Sequence, residues 1–165
     1  MTNAKCTLCP RCCNTDRKTQ QGYCGETADI RIARAAPHMW EEPAISGTHG
    51  SGTIFFSGCG LRCIFCQNHE IAISRTGYVV SQQELLSVMF RLKEQGVHNI
   101  NLVTPSHYTA QLIPVLQKAQ QNHLDLPVLW NSSGYENTET LKMLDGLIDI
   151  YLPDFKYLNP DTARE

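Results

Sequence analysis

The chain has 165 residues, of which 42% are hydrophobic and 18% are charged, and its formal net charge is −2. This composition is typical of one globular domain and excludes an intrinsically disordered chain. The slight negative charge offers no basic surface, so we expect no binding to nucleic acid. No apolar run is long enough to span a membrane, and the polar N-terminus lacks the apolar region of a secretory signal peptide.

Eight cysteines are many for a chain of this length. In a small secreted protein they would predict disulfides, but this chain shows no signal peptide, and its later part alternates strand and helix patterns. We therefore expect metal ligands in a reducing compartment, which places the protein in the cytoplasm. Five of the eight cysteines lie in residues 1–28, a segment with little apolar periodicity.

The cysteine-rich segment 1–28 is predicted to bind metal. A C-x2-C knuckle begins it, and a further cysteine returns between two glycines, a pattern that is typical of a structural site with four thiolates. An auxiliary iron–sulfur cluster and a zinc ion are equally compatible with this spacing. Free buried thiols are disfavoured, because the segment has no apolar core to bury them. The predicted ligands are Cys6, Cys9, Cys13 and Cys24, and Cys12 is left over.

Residues 29–52 are predicted to connect this segment to the next domain and to pack on it. A short strand at 30–33 is expected to continue as a loop rich in proline and glycine. From residue 53 onward, strands and helices alternate, and Ser81 to Glu84 form a capping box ahead of the first long helix. The predicted strands cover 53–57, 99–104, 127–131 and 148–152, and the predicted helices cover 81–95, 109–122 and 138–144.

Alternating strands and helices over 53–165 predict right-handed crossovers and a parallel sheet, which is the α/β class. Polar residues follow the carboxyl end of every predicted strand. Such residues converge at one edge of a parallel sheet or barrel, where active sites form. The residues concerned are the cysteines after the first strand, then Thr104 and Ser106, then Asn131 and Ser132, then Asp154 and Lys156.

The three cysteines after the first strand have the spacing Cys59-x3-Cys63-x2-Cys66. Three close thiolates can hold three irons of a cube and leave the fourth iron open for chemistry. Gly58 and Gly60 let the backbone wrap closely around a bulky inorganic group. A zinc ion with a fourth ligand such as His69 is the alternative, but zinc sites more often have paired C-x2-C knuckles.

Two other features have ordinary structural explanations. Asp154 and Lys156 could form a surface ion pair of little consequence, although their position at a strand end favours a function. His107 lies in a predicted loop, where a histidine is as often structural as catalytic.

The Cys59-x3-Cys63-x2-Cys66 motif, with Phe65 before its last cysteine, resembles the signature of the radical S-adenosylmethionine (SAM) superfamily. Within it, three runs resemble the uncharacterised iron–sulfur relatives of pyruvate formate-lyase activating enzyme. The runs are Glu41-Glu42-Pro43, Gly50-Ser51-Gly52-Thr53-Ile54-Phe55-Phe56 and Tyr151-Leu152-Pro153-Asp154-Phe155-Lys156-Tyr157.

The resemblance implies a partial (β/α)6 barrel, of which the four predicted strands and three predicted helices make up about two-thirds. On this basis the chain is expected to be truncated after the fourth strand and to need a missing C-terminal half. The last strand would then be an edge strand with exposed apolar residues. The expected exposed set is Ile148, Ile150, Leu152 and Phe155.

The resemblance also implies roles for the site residues. Cys59, Cys63 and Cys66 would hold a [4Fe-4S] cluster whose open iron binds the amino and carboxylate groups of SAM. Phe65 would lie against the adenine, and Lys156 would face the SAM carboxylate.

Asp154 also matches the pattern of activating enzymes, whereas two other positions depart from it. Asp154 would help to hold a monovalent cation or the SAM amino group. Asn131 and Ser132 stand where those enzymes carry an Asp-Thr pair, so one charge is missing from that cation site. Thr104 and Ser106 belong to a Thr-Pro-Ser-His run that replaces a Gly-Gly-Glu-like motif, and backbone carbonyls with Ser106 are expected to substitute for it.

The implied function is the reductive cleavage of SAM to a 5′-deoxyadenosyl radical, which abstracts hydrogen from a substrate. The chain would be an oxidoreductase that resembles a glycyl-radical activase, with a glycyl radical enzyme as substrate and a one-electron donor such as flavodoxin or ferredoxin. Two alternatives stay open. The chain could be a non-catalytic iron–sulfur or zinc-binding module, or a truncated and inactive remnant of the enzyme.

Overall fold

The computed structural model describes residues 5–159 and 161, which form a mixed α/β fold around one six-stranded sheet. Residues 1–4, in the predicted segment 1–28, and residues 160 and 162–165, in the predicted segment 53–165, lie outside the described part. The strands are β1 Arg31–His38, β2 Ser51–Phe56, β3 Tyr78–Val79, β4 Ile100–Val103, β5 Val128–Ser132 and β6 Ile150–Pro153. The helices are α1 Pro43–Ser46, α2 His69–Ile73, α3 Gln82–Glu94, α4 Thr109–Gln121 and α5 Thr138–Lys142, and a 3₁₀ turn at Ser106–Tyr108 precedes α4.

The strands lie in the order β3-β1-β2-β4-β5-β6. The four strands β2, β4, β5 and β6 run parallel, so the predicted parallel sheet is confirmed. In this register Gly52 is opposite Ile100, Ile100 is opposite Val128, and Leu129 is opposite Ile150. The carboxyl ends of these four strands therefore meet at one edge of the sheet.

The segment before β2 contributes far more to the sheet than the sequence predicts. The expected short strand at 30–33 is instead the eight-residue strand β1, which pairs antiparallel with β2 along its length. Pro37 is compatible with this strand, because β3 pairs only with Arg31 and Ile32 and leaves the other edge of β1 open beside the proline. The prediction of a loop after residue 33 is therefore wrong for residues 34–38, which belong to β1.

Helices α3 and α4 cover one face of the sheet and enclose the hydrophobic core. Alternate residues of the central strands point into this core, as a period of two requires. The core residues include Ile54 and Phe56 of β2, Ile100 and Leu102 of β4, Val128 and Trp130 of β5, Leu85, Met89 and Leu92 of α3, and Leu112, Val115 and Leu116 of α4.

The predicted capping box of α3 is confirmed. The Ser81 hydroxyl accepts a hydrogen bond from the Glu84 N–H at 3.2 Å, and the Glu84 carboxylate accepts one from the Ser81 N–H at 2.8 Å. These bonds hold the pKa of Glu84 below its ordinary value. Gly96, with φ of +79°, follows the C-terminal end of the helix.

Replacing Ser81 with alanine should lower the free energy of unfolding by about 1 kcal/mol, because the first turn of α3 loses the acceptor for one of its N–H groups. Urea unfolding followed by circular dichroism measures this loss. Ser87→Ala, on the exposed face in the middle of α3, is the control and should change stability by less than about 0.5 kcal/mol. Equal losses in the two variants would contradict a capping role for Ser81.

The last strand, β6, is an edge strand of the sheet. Ile150 is 37% exposed and Phe155, just beyond the strand, is 78% exposed, whereas Ile148 and Leu152 are half-buried. The predicted exposure is therefore found for two of the four residues named. No helix in the described part of the chain is long and apolar enough to cross a membrane.

Candidate functional site

A cavity of about 700 Å³ opens at the carboxyl edge of the parallel strands. Its walls come from the loop after β2, from the ends of β4, β5 and β6, and from the connection between β1 and α1. Of the residues predicted for the site, it is lined by Cys59, Cys63, Phe65, Cys66, Thr104, Asn131, Ser132, Asp154 and Lys156. These side chains are thus brought together from four separate parts of the sequence, as the strand-end pattern predicts.

The loop that carries the three cysteines begins with a glycine that no other residue can easily replace. Gly58 has φ of +84°, a region that side chains disfavour. A Cβ atom there would lie 2.7 Å from the Cys24 carbonyl oxygen and 2.6 Å from Cγ of Glu26. The loop then closes on α2, because the Gly58 N–H donates to the Ile71 carbonyl at 3.0 Å.

Beneath this glycine lies a buried carboxylate. Glu26 is fully buried, and its Oε2 lies 3.5 Å from Nε of both Arg31 and Arg75. Neither carboxylate oxygen makes a hydrogen bond among the described residues. The attraction of two arginines offsets part of the cost of burying this charge. Glu26 therefore ties the start of β1 and the segment after α2 to the underside of the cysteine loop.

All three cysteines of the loop are half-buried and free of disulfides. The Sγ of Cys59 accepts a hydrogen bond from the Leu61 N–H at 3.4 Å. Burial raises the pKa of the Cys63 thiol, the neighbouring Cys59 raises it further, and the Lys156 ammonium lowers it. The positive charge of Lys156 therefore acts on the cysteine loop across the cavity.

The three thiols do not converge on one point. Across the described residues, no group of three or more His, Cys, Asp or Glu side chains is placed to hold a single metal ion. His69, the fourth ligand in the zinc alternative, is exposed at the start of α2 and does not line the cavity. A cluster gives each thiolate its own iron, so three separated thiols beside an open cavity fit a [4Fe-4S] group with one free iron.

Thr104 marks the end of β4 with an unusual backbone. Its φ is +57°, a conformation that is rare for a β-branched residue, and its N–H donates to the Asn131 carbonyl at 2.8 Å. Strain of this kind costs about 1–3 kcal/mol and is concentrated at functional sites. The bond also fixes the end of β4 beside the end of β5, where Asn131 and Ser132 line the same cavity.

Asp154 and Lys156 follow β6 and form an ion pair at the wall of the cavity. The Asp154 N–H donates to the Ser132 carbonyl at 2.7 Å, which holds the strand end next to β5. The Lys156 side chain is 31% exposed. The predicted strand-end position of this pair is found, and its charged groups border the space in front of the cysteines.

Of the Thr-Pro-Ser-His run, only Thr104 lines this cavity, and Ser106 and His107 have other partners. The Ser106 hydroxyl donates to the Glu136 carboxylate instead of lining the cavity. The His107 ring is buried, and its Nε2 lies 2.7 Å from the Ser57 carbonyl. Burial, with the Arg17 charge nearby, lowers the pKa of His107 to about 3, so its ring is neutral and donates to that carbonyl. His107 therefore supports the cysteine loop from below.

The cavity also has lining residues that the site prediction omits. These residues are His38 at the end of β1, Trp40, Glu41 and Glu42 on the connection between β1 and α1, and Tyr151 on β6. Burial raises the pKa of Glu41, while the nearby His38 lowers it. The only sequence signal for this wall was the Glu41-Glu42-Pro43 run, which carried a resemblance but no assigned role.

The N-terminal cysteines lie next to the cysteine loop. Cys6, Cys9 and Cys13 are half-buried and Cys24 is buried, whereas Cys12 is exposed. Burial raises the pKa of the Cys9 and Cys24 thiols, and the neighbouring Cys6 and Cys13 raise both further. Cys6 and Cys13 therefore lie within electrostatic range of both Cys9 and Cys24.

Comparison with known proteins shows the family of this chain. The sequence pattern of the radical SAM superfamily matches residues 53–165, which include the cysteine loop and all four parallel strand ends. The chain is also 30% identical over 166 aligned residues to an uncharacterised protein of Methanocaldococcus jannaschii, MJ0674. That alignment covers 96% of this chain and 47% of the relative, so the chain spans about half the relative's length. The chain belongs to the radical SAM superfamily.

Proposed function

We propose that this chain carries the cluster-binding and SAM-binding part of an enzyme that resembles a glycyl-radical activase. The observation that carries the proposal is the shared cavity, where Cys59, Cys63 and Cys66 face the ends of three other parallel strands. These cysteines would hold a [4Fe-4S] cluster with one open iron, and the bound cluster would supply the electron for reductive cleavage of SAM to methionine and a 5′-deoxyadenosyl radical. The protein holds the reactants and limits the access of water.

The three cysteines would hold the cluster, and the other lining residues would hold SAM. The cavity is open enough for both groups, and the Lys156 ammonium suits the SAM carboxylate through charge-assisted hydrogen bonds. Asp154, already paired with Lys156, keeps that ammonium in place and leaves a second carboxylate oxygen for the SAM amino group.

Phe65 offers an apolar surface for the adenine. Its ring is 56% exposed, lines the cavity and packs edge-to-face against Tyr157 at 5.8 Å between centroids. Thr104, Asn131 and Ser132 would supply backbone and side-chain hydrogen bonds to the rest of the cofactor. Ser106 is left out of this set, because its hydroxyl is already bonded to Glu136.

We also propose that the substrate is a protein. Large apolar side chains are exposed on the cavity wall and on the cysteine loop and the segment after β6, which is typical of a surface that contacts a partner. We propose that this partner presents a backbone glycine, as in glycyl-radical activases, and that a flavodoxin or ferredoxin supplies the electron. Because the thiols must stay reduced, we place this chemistry in the cytoplasm. The exposed residues are Trp40, Ile64, Phe65, Phe155 and Leu158.

We also propose that β2, β4, β5 and β6 are the first four strands of a partial (β/α)6 barrel. Their parallel order supports this, as does the partly exposed edge strand β6, on which a further strand could pair. Glu41 and Trp40 would then lie at the wall of the cavity that faces the substrate.

Anaerobic reconstitution with iron and sulfide, reduction by dithionite and addition of SAM test the proposed activity. We expect 5′-deoxyadenosine and methionine to form in equal amounts, detected by liquid chromatography. A chain that takes up iron and binds SAM but releases no 5′-deoxyadenosine would contradict the proposal and favour a non-catalytic iron–sulfur module.

Replacing Lys156 with alanine should weaken SAM binding about tenfold, because a charge-assisted hydrogen bond contributes about 1.5 kcal/mol at a partly exposed position. Calorimetry on the reconstituted protein measures the affinity. Lys142→Ala is the matched control, since Lys142 pairs with Glu139 on α5 and does not line the cavity. Equal SAM affinity in the wild type and the Lys156 variant would remove this residue from the site.

A further inference from the structure

We propose that Cys6, Cys9, Cys13 and Cys24 bind a second iron–sulfur cluster, which passes electrons to the cluster held by the Cys59 loop. The second cluster is a metal site in its own right, and its role as an electron relay rests on the function proposed above. We define these four residues as the N-terminal cysteine set.

The N-terminal cysteine set is gathered by backbone turns. The Cys6 N–H donates to the Thr15 carbonyl at 3.0 Å, and the Asn14 N–H donates back to the Cys6 carbonyl at 3.1 Å. This pairing folds the chain so that Cys13 returns beside Cys6. Gly22 then brings the last ligand close, because the Sγ atoms of Cys13 and Cys24 both lie 3.5 Å from the position of a Cβ atom at that glycine.

The fifth cysteine of the segment differs from the other four in its exposure. Cys12 has φ of +40° and is exposed, and its Sγ lies 4.0 Å from Nδ2 of Asn137 at the start of α5. The segment therefore offers four thiols that are at least partly buried and one exposed thiol, whose Sγ also donates to the Cys9 carbonyl at 3.4 Å. Four thiolates are the number that a closed iron–sulfur cube or a structural zinc ion takes.

The position of the site favours a cluster over zinc. Zinc has no redox chemistry and would serve only as a structural ion. The Cys24 carbonyl accepts a hydrogen bond from the Cys59 N–H, so the site lies beside the Cys59 loop, where an iron–sulfur cluster can carry an electron.

The N-terminal cysteine set contacts the Cys59 loop directly. The Cys59 N–H donates to the Cys24 carbonyl at 3.2 Å, so a single backbone hydrogen bond joins a ligand of one site to a ligand of the other. The Cys9 Sγ lies 3.7 Å from the position of a Cβ atom at Gly60, and the Arg11 Nε donates to the Gly60 carbonyl at 3.2 Å. A second cluster at this place is therefore next to the first.

The relay step transfers one electron and neither makes nor breaks a bond. A low-potential one-electron donor reduces the cluster of the N-terminal cysteine set and is itself oxidised by one electron. That cluster then returns to its oxidised form as it reduces the cluster of the Cys59 loop.

Metal analysis tests the site without any need for SAM cleavage. In the chain with Cys59, Cys63 and Cys66 all replaced by alanine, anaerobic reconstitution should still load about four irons and give a cluster signal in electron paramagnetic resonance after dithionite reduction. Adding Cys13→Ser should remove this iron, whereas adding Cys12→Ser should not. If the protein bound zinc in place of iron, the assignment of a cluster would be overturned. If it bound no metal at all, the site itself would be overturned.

Reduction kinetics test the relay in the otherwise unchanged chain. Cys13→Ser should slow the reduction of the Cys59-loop cluster by reduced ferredoxin at least tenfold, and Cys12→Ser should leave the rate unchanged. Iron retained at the Cys59 loop in both variants shows that the fold has survived. Equal rates in the two variants would overturn the relay, and this result does not depend on whether SAM is cleaved.

Discussion

Replacing Cys63 with alanine should abolish the cluster of the Cys59 loop and, with it, all cleavage of SAM. Cys63 lies between the other two ligands in sequence, and all three thiols line the same cavity. With two thiolates left, the cube loses the thiolate of one corner, and among the described residues no further cysteine lines the cavity to replace it. Iron analysis and the 5′-deoxyadenosine assay measure the two losses.

The control for this experiment is Cys12→Ala, which removes an exposed thiol that belongs to neither predicted set. It should retain the iron content and the activity of the wild type. If Cys63→Ala still cleaved SAM at the normal rate, the assignment of the cluster ligands would be wrong.

Replacing Gly58 with alanine should lower the free energy of unfolding by about 2–4 kcal/mol and reduce iron uptake. Part of the loss comes from the φ of +84°, and part comes from the contacts of the new methyl group with the Cys24 carbonyl and Glu26. To relieve these contacts the N-terminal segment must move away, which breaks the hydrogen bond between Cys24 and Cys59. Urea unfolding and iron analysis after reconstitution measure the two effects.

Gly60→Ala is the matched control in the same loop. The nearest atom to its added methyl group would be the Cys9 Sγ at 3.7 Å, an ordinary contact, and its backbone is not in the left-handed region. We expect it to change stability by less than about 0.5 kcal/mol. If both alanine variants lost the same stability, the close contacts of Gly58 would not be the cause.

Local patterns in the sequence determined much of this protein. Short apolar runs predicted β2 and β5, and an alternation of apolar residues predicted β4, all nearly to their ends, because the central strands of a parallel sheet are buried. The capping box placed the start of α3 correctly, since both of its hydrogen bonds form within four residues. The spacing of Cys59, Cys63 and Cys66 is equally local, so it predicted the superfamily without any information on the tertiary structure.

Only the tertiary structure decided the rest, because the features concerned depend on pairing between distant residues. β1 is rich in alanine and has little alternation, so its strand conformation comes from pairing with β2 and not from propensity. That pairing brings Glu41 to the wall of the cavity. Ser106 does not line the cavity, because its hydroxyl donates to the carboxylate of Glu136, which lies thirty residues later in the sequence. The contact between Cys24 and Cys59 likewise joins segments that no sequence period relates, so packing alone determined it.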